Sequence, residues 1–431
     1  MSPNTAAAAS ALSARIPGSK SLTNRALLLA AAARGTSGLW APLVSDDTVA
    51  FRRALTAIGI STSTTPSDEC WEVTGTGGGP YAPGRVWCAD AGTAARFLPP
   101  FAATGRGSFV FDGSEQLRAR PLGPLTRALT RLGAEVAAGP DGGLPLTVAA
   151  RGLAGGVVEL DSGLSSQYLS GLLMAGPLMT GPLTVDVPRL VSRPYLDMTL
   201  ALMRRFGADV SEDAGTVTVR PGGYAATDLV IEPDASTASY FFAAAAVTGR
   251  TLTVPGLGSS SLQGDLRFAR VLELTGAEVE IGLHSTTVTG PAGGRLTGGF
   301  TVDMGEISDT FMTLAAIAPL FDGPVTITGI AHARLKESDR IAAVAANLRA
   351  CGIRVEEGPD RITVHPGTPR PAVVDCHRDH RIAMSFAVLG LGSSVPLTLD
   401  DPACVAKTFP EFHTELNRLF PEYQIRLDKE Q

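Results

Sequence analysis

The chain has 431 residues, which is too long for one typical hydrophobic core, so two domains or a repeat architecture are expected. Its 44% hydrophobic and 18% charged residues are typical of a well-packed globular protein and exclude a disordered one. The formal net charge of -6 argues against a general affinity for nucleic acid or anionic membranes. Any anion site must therefore be built locally from a few Arg and Lys side chains.

The apolar segments and cysteines indicate a cytoplasmic protein. The longest apolar runs, residues 26–33 and 240–247, are far shorter than the roughly 20 residues that span a bilayer. Residues 1–13 are rich in Ala and Ser and have no positive charge before an apolar core, so we expect a frayed terminus and no signal peptide. The five cysteines form no Cys-x-x-Cys pair, so buried thiols are expected, without a zinc site or a disulfide framework.

A first repeated pattern reads Leu-x-x-x-Gly-x-x-Val, with variations. The residues before each glycine have helical spacing, and the glycine stands where a helix ends in a left-handed residue. Alternating segments on either side of a turn then predict a β-hairpin. The glycines are 69 to 76 residues apart, at Gly59, Gly133, Gly207, Gly276 and Gly352, and a degraded sixth copy ends at residues 419–420.

A second series places small or polar residues before an apolar helix. Ser, Thr and Asp are common N-cap residues, so each member predicts a helix start, and for residues 234–237 we expect capping alone. Six units of about 70 residues follow, with residues 222–227 as a candidate crossover between two sets of three. Equivalent helix starts should gather their N-terminal dipoles on one anion-attracting side. The anchors are Ser21, Thr93, Ser166, Ser236, Asp309 and His380.

Four charged segments stand before predicted helices. Lys20 and Arg25 flank the first helix start, where a bound phosphate and a merely capped helix are equally compatible with the residues. Two further guanidinium groups stand at residues 118–120, ahead of Pro121. Residues 336–340 and 377–381 are densely charged, and a Lys and a Glu beside anion-binding Arg can transfer protons if their pKa values shift.

Together these segments resemble the EPSP synthases (3-phosphoshikimate 1-carboxyvinyltransferases) of the enolpyruvyl transferase family, in order and spacing, from about Arg15 to Phe420. The resemblance implies an α/β fold of two inside-out domains, each with three βαβαββ units, around a substrate cleft. One domain would hold residues 1–14 and 228–431, and the other residues 15–227. The matching segments are residues 17–25, 91–96, 120–121, 165–167, 192–195, 336–340, 379–381 and 407–410.

The resemblance also implies transfer of the enolpyruvyl group of phosphoenolpyruvate to the 5-hydroxyl of shikimate 3-phosphate, without metal or cofactor. Catalytic roles would fall to Lys20, Asp309 and Glu337. The shikimate 3-phosphate site, with Tyr195 beside it, would comprise Lys20, Ser21, Arg25, Ser165, Ser166, Gln167, Ser192, Asp309, His332 and Lys336. The phosphoenolpyruvate site would comprise Lys20, Gly92, Arg120, Gln167, Arg340, Arg381 and Lys407.

Three positions depart from the family pattern. Asp90 replaces a common Asn, and His332 replaces an Asn that faces the shikimate phosphate in many members. Phe97 replaces a common Pro, and its larger ring could shift the helix that presents Gly92. Since Gly92 leaves room that Ala would fill, we expect inhibition by glyphosate.

Two alternatives stay open at this point. The sister enzyme, UDP-N-acetylglucosamine 1-carboxyvinyltransferase, carries a Cys where this chain has Glu115 and Lys-Asn where it has Lys20 and Ser21. A six-repeat clamp on nucleic acid fits the repeats but not the acidic charge. We expect a monomer, because nothing suggests an added interface.

Overall fold

The computed structural model describes residues 11–67, 69–393 and 395–422; most of the expected frayed terminus lies outside these ranges. The helices are α1 (Lys20–Ala32), α2 (Asp46–Ala57), α3 (Gly92–Ala103), α4 (Glu115–Arg118), α5 (Gly123–Arg131), α6 (Ser166–Ala175), α7 (Arg193–Arg205), α8 (Ala235–Thr248), α9 (Phe268–Glu273), α10 (Phe311–Ile317), α11 (Arg340–Ala350), α12 (His380–Ser393) and α13 (Phe412–Leu419).

The strands are short. They are β1 (Leu12–Ser13), β2 (Ala33–Trp40), β3 (Ser61–Thr64), β4 (Cys70–Thr76), β5 (Gly84–Trp87), β6 (Arg106–Asp112), β7 (Glu135–Ala138), β8 (Leu146–Arg151), β9 (Gly156–Glu159), β10 (Leu183–Asp186), β11 (Val210–Asp213), β12 (Thr216–Val219), β13 (Tyr224–Ala225), β14 (Leu229–Val230), β15 (Thr251–Pro255), β16 (Glu278–Ile281), β17 (Ser285–Thr289), β18 (Phe300–Asp303), β19 (Val325–Thr328), β20 (Val355–Glu357), β21 (Ile362–Val364), β22 (Ala372–Val374) and β23 (Leu397–Leu399).

One strand plan recurs along the chain. In the sheet β5-β6-β8-β7, β5 and β6 are parallel, whereas β8 is antiparallel to both β6 and β7. The same order, a parallel pair followed by a hairpin, recurs in the sheets β1-β15-β17-β16, β9-β10-β12-β11 and β18-β19-β21-β20, and in the sheet of β2, β3 and β4 with β13 and β14. In the described ranges the last sheet has only the parallel pair β22-β23. The predicted α/β repeat fold is confirmed.

The glycines of the first series end helices and the anchors of the second series begin them, as predicted. The glycines of the first series follow α2, α5, α7, α9 and α11 with φ between 80° and 93°, a left-handed conformation that glycine adopts without steric cost. The anchors of the second series lie at the starts of α1, α3, α6, α8, α10 and α12.

These six helices form the interior, and the sheets lie outside them. Every residue of α3 is buried, as are nearly all of α8 and α12, because their sequences are apolar or small on all faces. One core contains buried residues from Leu22 to Ile231, and a second contains Ala14 and buried residues from Ala235 to Phe420.

The chain crosses between the two cores twice. Strand β1 pairs with β15 of the second core, although it precedes α1, and β13 and β14 pair with β2 of the first. The division into residues 15–227 and residues 1–14 with 228–431 remains a prediction, which these pairings support. No helix in the described ranges is both long and apolar enough to cross a membrane.

Candidate active site

The starts of five of the six interior helices face one cavity between the two cores. Its lining includes side chains from α1, α3, α6 and α12 and from the turn before α10, so N-terminal dipoles of both halves point at the same space. The predicted gathering of helix starts is confirmed for these five. The lining residues are Lys20, Ser21, Asp47, Gly92, Thr93, Arg120, Ser166, Gln167, Ser192, Tyr195, Asp309, Lys336, Glu337, Arg340 and Arg381.

The sixth helix start, that of α8, lies directly behind the cavity. The Asp234 carboxylate accepts from Thr237 N at 2.8 Å, as expected for a cap, and also from Lys20 N at 3.0 Å. A residue of the second half therefore fixes the first turn of α1, which carries Lys20.

Two lysines from opposite ends of the sequence share one carboxylate. Lys20 Nζ lies 3.5 Å from Asp47 Oδ2, and Lys407 Nζ lies 3.2 Å from Asp47 Oδ1. Lys407 also donates to the backbone oxygen of Asp90 at 2.9 Å, next to the start of α3. Both ammonium groups are thus held at the side of the cavity where Gly92 presents its backbone.

Three guanidinium groups complete the cationic cluster. Arg340 donates to Asp309, Glu337 and Asp379 at 3.0, 2.7 and 2.8 Å. Arg381 donates to Asp309 at 2.8 Å, and Arg120 lies 3.6 Å from Glu337. Since Arg120 belongs to the first half and Glu337 to the second, this last pair spans the cleft.

The cations set the ionisation of Glu337 and Asp309, two of the carboxyl groups that face the cavity. Burial raises the pKa of Glu337, but Arg340, Arg120, Lys407 and Lys20 outweigh it and hold that pKa well below its usual range. Burial likewise raises the pKa of Asp309, and Arg381, Lys336 and Arg340 reverse the effect. Both groups are therefore anions at neutral pH when the cavity holds no other anion.

The polar side of the cavity is formed by hydroxyl and amide groups, with Lys336 at its edge. Ser21, Ser166, Gln167 and Ser192 line it, and Ser165 caps α6 by accepting from Gln167 N at 3.2 Å. Burial is the main reason that the pKa of Lys336 is lowered. Neutral donors and acceptors of this kind suit a polyol.

Two predicted ligands lie behind this surface. Arg25 is almost fully buried, and it donates to Ser21 O at 3.0 Å, Tyr195 O at 3.2 Å and Thr199 Oγ1 at 2.7 Å. His332 Nε2 lies 3.2 Å from Ser192 Oγ and 2.7 Å from Ser308 Oγ. In this arrangement they support cavity-lining residues, and their own binding roles remain predictions.

Comparison with known proteins decides the family. The profile of EPSP synthase (3-phosphoshikimate 1-carboxyvinyltransferase) matches residues 8–416. The 3-phosphoshikimate 1-carboxyvinyltransferase of Nostoc punctiforme is 42% identical over 413 residues, covering 94% of this chain and 96% of that protein. The chloroplastic enzyme of Arabidopsis thaliana is 41% identical over 432 residues, covering 94% and 82%.

The chain belongs to the EPSP synthase family. Among solved structures, the EPSP synthase of Acinetobacter baumannii superposes with a TM-score of 0.78 at 26% identity, covering 95% of both chains. The enolpyruvyl transferase NikO of Streptomyces tendae shares the fold, with a TM-score of 0.75 at 19% identity over 96% of this chain and 95% of that one. Family membership makes the protein a transferase of the shikimate pathway that acts on small molecules.

Two carboxylates of the site, Asp47 and Asp379, were not predicted as site residues from the sequence of this EPSP synthase family member. Asp47 lies in the first turn of α2, where an acidic residue is normally a helix-stabilising group, so its position gave no functional signal. Asp379 lies within a matching segment, yet only the structure shows that it binds Arg340 and accepts from Arg381 N at 3.0 Å.

Asp90 and Phe97, two of the three departures from the family pattern, make defined contacts. Asp90 Oδ2 accepts from Arg378 across the cleft at 3.1 Å. Phe97 is buried, with its ring edge-to-face on Phe51 at 6.4 Å and under the Arg25 guanidinium at 5.3 Å. The ring therefore packs into the first core, against residues of α1 and α2.

His332 should make the stability of this EPSP synthase family member depend on pH. Burial, with the positive charge of Lys336, lowers the pKa of His332 to about 4. An unfolded chain takes up this proton near pH 6.5, so the free energy of unfolding should fall by about 3 kcal/mol as pH falls from 6.5 to 4. His332→Asn should lack this fall.

Urea unfolding at several pH values measures the effect. The exposed His284→Asn variant serves as the control and should follow the wild type. Parallel pH profiles for the wild type and His332→Asn would contradict the assignment.

Proposed function

We propose that this protein transfers the 1-carboxyvinyl group of phosphoenolpyruvate to the 5-hydroxyl of shikimate 3-phosphate, releasing phosphate. The observation that carries the proposal is a cluster of five cations from both halves, of which four line one cavity and the fifth, Lys407, shares the Asp47 carboxylate of its wall with Lys20. Two reactants with four anionic groups, a carboxylate and a phosphate on each, need such a cluster, because like charges repel strongly inside a protein. The cluster comprises Lys20, Arg120, Arg340, Arg381 and Lys407.

Phosphoenolpyruvate would occupy the side of the cavity where these cations meet. Its carboxylate and phosphate match the planar forks of Arg120, Arg340 and Arg381, with Lys20 and Lys407 as point charges. Gly92 offers no side chain, so the start of α3 can approach the ligand closely. Gln167 lies between this region and the polar side.

Shikimate 3-phosphate would occupy the polar side. Ser21, Ser165, Ser166 and Ser192 offer hydroxyl groups, and Lys336 supplies a positive charge for the phosphate. His332 and Arg25 would support this region from behind, with access to the ligand after a local shift.

The addition step requires a base at the hydroxyl and an acid at the methylene carbon. Asp309, an anion between Arg340 and Arg381, would accept the hydroxyl proton as the oxygen attacks the central carbon. Glu337 or Lys20 would protonate the methylene carbon. Anionic groups of phosphoenolpyruvate beside Arg120, Arg340 and Lys407 offset the charge that depresses the pKa of Glu337, so Glu337 more readily carries a proton to donate in the complex.

The elimination step removes phosphate and one methyl proton to form the enol ether. The five cations stabilise the negative charge that develops on the departing phosphate. The cavity measures about 40 Å³, room for a few water molecules, so the two halves must separate to admit the reactants.

We also propose a cytoplasmic monomer that binds neither nucleic acid nor membrane. Five free cysteines support a reducing compartment, and a net charge of -6 argues against binding to nucleic acid or anionic membranes. Light scattering on the purified protein measures the mass in solution.

The decisive experiment measures phosphate released from phosphoenolpyruvate. Release should require shikimate 3-phosphate, and UDP-N-acetylglucosamine should not replace it. Turnover with UDP-N-acetylglucosamine but not with shikimate 3-phosphate would favour the sister activity. Salt-sensitive retention of the protein on DNA, without turnover, would favour a nucleic-acid clamp.

A further inference from the structure

A second buried carboxyl group lies behind Asp309. Asp265, in the short 3-10 helix Gly264–Arg267 before α9, is 3% exposed. Its Oδ2 accepts from Tyr195 Oη at 3.0 Å and from Ser236 Oγ. Its Oδ1 has no hydrogen-bond partner among the residues that the structure describes. The predicted site residues leave this group without a role.

The Tyr195 hydroxyl bridges two carboxyl groups. It lies 3.0 Å from Asp265 Oδ2 and 3.3 Å from Asp309 Oδ2, yet it carries a single proton to donate. With both carboxyl groups ionised, only one can receive that proton fully. One additional proton would satisfy all three groups, because Tyr195 could then accept from one carboxyl group and donate to the other.

The two carboxyl groups differ in their cationic partners. Asp309 forms ion pairs with Arg340 and Arg381, whereas Asp265 has none among the described residues. Burial and the charge of Asp309 raise the pKa of Asp265 to about 6. The additional proton is therefore more stable on Asp265 than on Asp309.

The groups that face Asp265 come from four elements. Tyr195 of α7, Asp309 before α10 and Arg381 of α12 are titratable or charged, and Ser236 of α8 is neutral. Arg267 and Glu306 pair with each other at the exposed side of the same region. Burial, with the charges of Asp265 and Asp309, raises the pKa of Tyr195, so its hydroxyl stays protonated.

We propose that Asp265 is a positioning residue that takes up, through the Tyr195 hydroxyl, the proton that Asp309 accepts from the substrate. The inference rests on the proposed function. Tyr195 passes its proton to Asp265 while it accepts one from Asp309. Asp309 thereby becomes an anion again and restores its ion pairs with Arg340 and Arg381. No other bond changes. The proton returns by the same route when the departing phosphate, which needs one proton, leaves the carbon.

Asp265→Asn tests this directly, because an amide keeps the shape but cannot accept the proton. We expect kcat to fall about tenfold or more, with the KM for shikimate 3-phosphate changed less than about twofold. In the wild type kcat should decline below about pH 6, where Asp265 is already protonated, and the variant should lose this acidic limb. Tyr195→Phe should cause a similar loss, and the double variant should be no worse than either single one.

Glu232→Gln is the matched control. Glu232 is a partly buried carboxyl group whose pKa burial also raises, and it accepts from Ser261 and Gln263 away from the cavity. It should leave kcat and its pH profile unchanged. An acidic limb retained in Asp265→Asn, a loss confined to KM, or additive losses in the double variant would overturn the proposal.

A readout without turnover separates this inference from the proposed function. Infrared difference spectra between pH 5 and pH 8 should contain a buried carboxylic acid band that Asp265→Asn removes. If the wild type shows the band but releases no phosphate, the proposed function is rejected, whereas the protonation of Asp265 is supported. Absence of the band would reject the inference even if the enzyme turns over. If Asp265→Asn fails to fold, Tyr195→Phe and its pH profile decide.

Discussion

Replacing Lys20 by Met should lower phosphate release that depends on shikimate 3-phosphate by about a thousandfold. Lys20 lies at the start of α1, with Nζ 3.5 Å from Asp47, at the meeting point of both proposed ligands. Its loss removes both a positive charge and a candidate acid. Asp47 keeps Lys407 at 3.2 Å, so no buried carboxylate is left unpaired and the fold should survive.

Two further variants separate the roles of Lys20. Lys20→Arg keeps the charge but holds its proton too tightly to act as an acid, so it should restore phosphoenolpyruvate binding more than kcat. Arg220→Met removes an exposed cation from a surface pair and should have no effect. A Lys20→Met enzyme with rates near wild type would remove Lys20 from the mechanism.

Replacing Gly92 by Ala should raise the KM for phosphoenolpyruvate by about a hundredfold and weaken inhibition by glyphosate. A Cβ atom at this position would lie 2.5 Å from Nη1 of both Arg120 and Arg96. Neither guanidinium can move away freely, because Arg96 is fully buried and Arg120 is held across the cleft by its ion pair with Glu337. Moving a ligand-binding guanidinium by about 1 Å can weaken its productive interaction with the ligand by two orders of magnitude.

Steady-state kinetics with varied phosphoenolpyruvate and glyphosate measure both effects. Gly222→Ala is the matched control, since a Cβ atom there meets nothing within 4 Å. Wild-type turnover that is insensitive to glyphosate would reject the expected inhibition. An unchanged KM for phosphoenolpyruvate in Gly92→Ala would mean that Arg120 does not bind this ligand.

Much of the architecture could be predicted because its signals are local. A glycine after a helical run and a Ser, Thr or Asp before one fix helix ends through φ and capping, whatever the rest of the chain does. These signals located the five left-handed glycines and the six helix starts. The cations of the site stood within segments whose order matched one family, which made them recognisable without coordinates.

The pairing of charges in the site could not be predicted from the sequence. Asp47 resembles an ordinary residue of a first helical turn, and Asp265 an ordinary surface acid. Arg25 and His332 matched ligand positions, whereas the structure places both behind the cavity wall.

The amino-acid sequence by itself thus determined the repeat, the helix ends, the family and the identity of the cations. Only the tertiary structure decided which carboxylate each cation meets, and that Asp265 is buried without a cationic partner among the described residues. The physical reason is that these partners come from distant segments, as when Asp234 binds Lys20 N across 214 positions or Arg381 binds Asp309 across 72. Such contacts depend on how helices pack, and local backbone preference carries no information about them.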